Sequence, residues 1–68
     1  MNPDAFNMSI RKFLKMVGVQ SQREIETAVE RAIATGKVKG NESFPAKMTL
    51  TVQGVALDVS FDGKISLE

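Results

Sequence analysis

Sixty-eight residues carry a net charge of +1 and contain no Cys, His, Trp or Tyr. That composition leaves out disulfide and thiolate chemistry, the commonest general base and the commonest metal ligand. No run approaches the ~20 apolar residues of a membrane span or the pattern of a signal peptide, so a cytoplasmic protein is expected.

A single domain over 1–68 is expected. A domain of this size buries only roughly 60% of the surface its unfolded chain exposes, so most apolar residues are needed for folding. The charge is uneven. Residues 1–23 hold Arg11, Lys12, Lys15 and Arg23 against Asp4 alone, whereas residues 24–68 are acidic in balance.

In chain order, Phe6, Ile10, Phe13, Leu14 and Val17 trace one face of a helix over about 4–17. Asn2 is the candidate cap, Pro3 suits the first turn, and Gly18 suits a left-handed stop. Ser21-Gln22-Arg23-Glu24 fits a capping box. Ile25, Ala28, Val29, Ala32 and Ile33 then give a second helix over about 22–35, ended by Gly36. The short link Gly18-Val19-Gln20 predicts an αα-hairpin or helix-turn-helix corner with Val19 packed beneath it. Residues 37–46 read as a connector. Gly40-Asn41 is a turn signal in it, and Pro45 holds Phe44 extended.

From Lys47 the hydrophobic period becomes two. Strands are predicted over about 47–53, 55–60 and 64–67, an antiparallel meander. A two-residue loop at Gln53-Gly54 pairs Val52 with Val55, Leu50 with Leu57 and Met48 with Val59. A bulged turn at Phe61-Asp62-Gly63 pairs Val59 with Ile65 and Leu57 with Leu67. The fold class is therefore α+β, with two N-terminal helices on one face of a three-stranded meander.

The sharpest candidate site is the outer face of the first helix. Met8, Arg11, Lys12 and Lys15 share it, opposite the apolar stripe. A flexible methionine among bases suits contact with a partner protein or a nucleic-acid backbone. A solvated polar face has the same residues, because single surface apolar side chains are common. Helix 2 as a DNA-reading helix is disfavoured by Glu26 and Glu30, which repel phosphates. On the sheet, Thr49, Asp58 and Ser66 are expected in one row, and Lys47, Ser60 and Lys64 in the next. These rows read as a solvated face, with no second carboxylate placed for acid/base work. Gly36-Lys37-Val38-Lys39-Gly40 has a phosphate loop's composition but lacks the strand before and the helix after. The sheet's outer strands offer edges for homodimer pairing or an added peptide strand, with Lys47 and Lys64 as protecting charges. No catalytic residue, cofactor or metal is expected.

The runs Asp4–Lys15, Val17-Gly18-Val19, Ser21–Glu26 and Pro45–Leu50 resemble a family of short uncharacterised bacterial proteins, a domain of unknown function. The resemblance covers nearly the whole chain. It implies a bacterial cytoplasmic protein, and it carries no activity, cofactor or functional residue. The sequence thus points to a small non-enzymatic protein-interaction module that uses the patch on the first helix, with a homodimer as one form it can take. Weak nucleic-acid binding by the basic face of the first helix is the alternative.

Overall fold

The computed structural model describes residues 1–68 as two compact units, Met1–Lys37 and Val38–Glu68. The first unit is one helix, α1 (Pro3–Ala34). The second is a hairpin of two antiparallel strands, β1 (Ser43–Val52) and β2 (Leu57–Ser66), joined through a single 3-10 turn at Gln53–Val55.

The start of α1 is as its sequence dictates. Asn2 Oδ1 accepts from the amides of Asp4 at 3.0 Å and Ala5 at 3.1 Å, and Pro3 occupies the first turn. The end also follows the expected stop. Gly36 is left-handed at φ 79, its amide donates to the Ile33 carbonyl at 3.1 Å, and the Lys37 amide donates to that of Ala32 at 2.8 Å. These two bonds satisfy carbonyls that the last turn would otherwise leave orphaned.

Between those caps the expected corner is absent. Helices over 4–17 and 22–35 are replaced by one helix of 32 residues, which runs through Gly18, Val19 and Gln20. Ser21 is an interior residue and not a cap. A break would orphan four carbonyls and four amides, whereas keeping Gly18 helical costs only about 1 kcal/mol relative to alanine. Continuity also changes which residues share a face. At about 100° per residue, the stripe of Phe6, Ile10, Phe13 and Val17 lies roughly 80° from that of Ile25, Ala28, Val29 and Ala32. The sequence reads as two helices because Gly18 resembles a stop and Ser21-Gln22-Arg23-Glu24 a start.

The three-stranded meander is likewise corrected to a two-stranded hairpin. Residues 43–46, expected in the connector, extend β1 and supply the partners of Gly63, Lys64, Ile65 and Ser66. With those partners present, Phe61-Asp62-Gly63 has no reason to turn. Gly63 pairs with Ala46, and the Val59–Ile65 and Leu57–Leu67 pairs do not form.

The first loop is longer than expected, which moves the register by two residues. Val52 faces Leu57, Leu50 faces Val59 and Met48 faces Phe61. A two-residue shift preserves which side chains share a face. One face carries Phe44, Ala46, Met48, Leu50 and Val52 opposite Ile65, Gly63, Phe61, Val59 and Leu57. The other is polar throughout except Pro45. There Thr49 faces Ser60 at 3.2 Å, Ser43 faces Ser66 at 2.8 Å, Lys47 faces Asp62, and Thr51 faces Asp58. The expected row of Thr49, Asp58 and Ser66 is therefore not formed.

The loop closes with the Ala56 amide donating to the Gln53 carbonyl at 3.2 Å. Ala56, not Gly54, takes the left-handed conformation, at φ 53 and ψ 37. An L-residue with a Cβ is disfavoured there. Ala56→Gly is expected to stabilise the hairpin by about 1 kcal/mol. Slower amide exchange across β1 and β2 in the variant is the check, and faster exchange would contradict the turn.

Ahead of β1, a tight loop is organised by Glu42. Its carboxylate accepts from the amides of Lys39 at 2.8 Å, Gly40 at 2.9 Å and Asn41 at 3.1 Å. The bonds from Lys39, then Gly40, hold the Glu42 carboxyl below the usual glutamate range, against a smaller opposing effect of desolvation. A depressed folded pKa means that the contribution is complete above the ordinary glutamate value and fades as pH falls through the lowered one. The Lys39 and Gly40 amides are thus expected to lose protection only in acid, below the ordinary glutamate range. Glu42→Gln should remove that pH dependence. An acid NMR titration reads both, and retention of the transition in the variant would assign it to another group.

Candidate functional site

The exposed face of α1 places all four sequence-derived candidates. Met8, Arg11, Lys12 and Lys15 are exposed, with Met8 at 68% of its full accessible surface. Spacings of three, four and seven residues put them on one side of a continuous helix. They do not form one pocket. Met8 and Arg11 share a shallow depression with Asp4 and Asn7. Lys12 and Lys15 line a second with Met16, Val19, Gln20 and Arg23.

Met16 and Val19 join this patch, a placement that spacing within a helix ending at Val17 does not indicate. Val19 was expected beneath a corner. Because α1 continues, Val19 lies among the bases and is 46% exposed. The signal was its spacing of four from Lys15 and eleven from Met8, which a reading that ends the helix at Val17 cannot use.

Continuity also extends the patch into acid. Glu26 lies eighteen residues beyond Met8 and Glu30 eighteen beyond Lys12, about five full turns in each case, so each returns to the same side roughly 27 Å along. The face is therefore bipolar, with Arg11, Lys12 and Lys15 near one end and Glu26 and Glu30 near the other. Gln22 Nε2 donates to Glu26 Oε2 at 3.4 Å, a weak tether at that distance.

The remaining candidates separate. Asp58 faces Thr51, Ser60 faces Thr49, and Lys64 faces Pro45, so the two expected rows on the polar face are spread along the hairpin. No three acidic side chains come together as a cation site. In the segment resembling a phosphate loop, Gly36 and Lys37 donate to the end of α1, and Lys39 and Gly40 donate to Glu42. Those amides are occupied by the chain's own carbonyls and carboxylate. No helix is long and apolar enough to cross a membrane.

Both units display apolar surface. No apolar side chain is buried. Phe6, Phe13 and Leu14 on α1 are about half exposed, as are Met48 and Phe61 on the hairpin.

Residues 1–68 match the family described as Family of unknown function (DUF6494), and the chain belongs to that family. No curated protein and no solved structure matches it.

Proposed function

We propose that this member of a family of unknown function is a non-enzymatic protein-interaction module. The observation that carries the reading is the exposure of Phe6, Phe13 and Leu14 on α1 and of Met48, Val52, Leu57, Val59 and Phe61 on one face of the hairpin. Apolar surface of that extent gains most from a macromolecular partner. The α1 patch of Met8, Arg11, Lys12 and Lys15 contributes charge for orientation and a methionine for adaptable contact. A bacterial cytoplasmic setting, which the sequence resemblance implies, is part of the same proposal.

The nucleic-acid alternative draws on the same three bases. The bipolar face argues for protein over nucleic acid, since Glu26 and Glu30 would repel a backbone that follows the helix.

The test has two arms. An apolar dye such as ANS is expected to bind the free protein. Met8→Ala combined with Lys15→Glu should leave far-UV circular dichroism unchanged and weaken capture of proteins from a bacterial lysate. Absence of dye binding, or undiminished capture by the double variant, would sink the reading of this patch. Salt-sensitive amide shifts at Arg11, Lys12 and Lys15 on adding short DNA or RNA would favour the alternative.

A further inference from the structure

The hairpin has two free edges, and they are not equivalent. The Leu67 amide donates to the Glu42 carbonyl at 2.9 Å, which sets the phase of the ladder. Hydrogen-bonded pairs alternate along an antiparallel ladder, so Phe44, Met48, Leu50 and Val52 point their amides toward β2. Pro45, Lys47, Thr49 and Thr51 then point outward. Pro45 has no N–H, so the outer edge of β1 is interrupted. On β2 the outward residues are Asp58, Ser60, Asp62, Lys64 and Ser66, none of them proline. This edge offers an uninterrupted row of donors and acceptors.

A two-stranded hairpin by itself is marginal in water, and further strands or a packed helix are the remedies. The charges on β2 select its own kind as the added strand. In an antiparallel pairing of β2 with a second β2, apolar residues stay on one face only in registers that shift by two residues. Placing Phe61 on the two-fold axis sets Asp58 opposite the partner's Lys64 and Ser60 opposite the partner's Asp62. On the apolar face, Leu57 meets the partner's Ile65, Val59 meets the partner's Gly63, and the two Phe61 rings meet each other. Centring on Asp62 opposes two aspartates, and centring on Ser60 sets each Asp58 against the partner's Asp62. Centring on Gly63 leaves Leu57 unpaired and sets Asp58 against the partner's Glu68. The Phe61 register pairs residues 57–65 with no opposed like charges.

Deepening the interaction reading above, we propose that the hairpin's partner is a second copy of this chain, joined antiparallel through the outer edge of β2 with Phe61 at the two-fold axis. The strand order becomes β1-β2-β2-β1. Each outer edge then carries Pro45, so the sheet closes as a dimer and does not grow further.

Amide exchange on the unmodified protein, with sedimentation at the same concentrations, tests the pairing. The amides of Asp58, Ser60, Asp62 and Lys64 are expected to gain at least about tenfold protection as the dimer forms, while those of Lys47, Thr49 and Thr51 exchange freely. Charge exchange tests the register. Asp58→Lys and Lys64→Asp alone should each weaken dimerisation roughly tenfold, and the double variant should restore it. A protein that stays monomeric at millimolar concentration, or a dimer whose β2 amides exchange as fast as those of β1, would overturn the proposal. In either case, ANS binding and the effect of the Met8/Lys15 double variant would leave the broader interaction reading standing. A double charge variant no better than the singles would overturn the Phe61 register.

Discussion

Gln20→Pro is expected to cost about 3 kcal/mol and to remove much of the helical signal at 222 nm. Position 20 lies in the middle of α1, where its amide would bond the carbonyl of Met16. Proline removes that bond, and its ring collides with the same carbonyl. A chain that turned at residues 18–20 would accept proline there with little loss. Gly18→Ala gives the same distinction with the opposite sign. A Cβ at Gly18 meets nothing within 4 Å, so alanine should stabilise α1 by about 1 kcal/mol. At a left-handed corner alanine would destabilise instead. Thermal melts of the two variants, followed by circular dichroism, decide the matter. An unchanged signal for Gln20→Pro together with a weakened Gly18→Ala would contradict the continuous helix.

The second large effect lies in the hairpin, where neighbouring positions should respond very differently. Val59 pairs with Leu50 and points its amide into the ladder. Val59→Pro removes that donor and orphans the Leu50 carbonyl, at a cost of about 2–3 kcal/mol. For a hairpin near the margin of stability, that suffices to unfold residues 43–66. Ser60 points its amide outward, so Ser60→Pro should leave the intrachain ladder in place, as Pro45 does on β1. Amide-resolved NMR of the two variants is the measurement. Equal damage from both would mean that the ladder's phase is misplaced. Ser60→Pro should also abolish pairing through the edge of β2, which separates the cost of folding from that of association.

These predictions show where local and non-local information part. The basic patch is legible from spacing, because three-, four- and seven-residue intervals suffice to place Met8, Arg11, Lys12 and Lys15 together. The acids that share its side are not. Glu26 and Glu30 return to that side only if the helix survives residues 18–24, and two good local signals argue against survival. Gly18 resembles a stop and Ser21 a start. Each signal describes what a residue tolerates at a helix end, and neither outweighs the cost of orphaning the backbone in mid-helix. The true ends, at Asn2 and Gly36, carry the same kinds of residue, and there the bonds do form.

In the hairpin, the alternation of apolar and polar residues settles the faces, but a two-residue shift satisfies it equally well. The choice of register rests on the loop, and the loop takes its left-handed residue at Ala56, where composition points to glycine. Gly63, a turn signal by sequence, is held straight because Ala46 stands opposite it. By itself, then, the sequence determined the α+β class, the absence of cysteine and histidine chemistry, both ends of the helical region, the two faces of the strands and the basic patch. All of these depend on residues within a few positions of one another. Only the tertiary structure decided that the helix is continuous, that ten residues before the first loop pair with ten after it, and that the outward amides of β2 form the uninterrupted edge. Those outcomes depend on whether a backbone group finds its partner elsewhere in the chain, which no local pattern records.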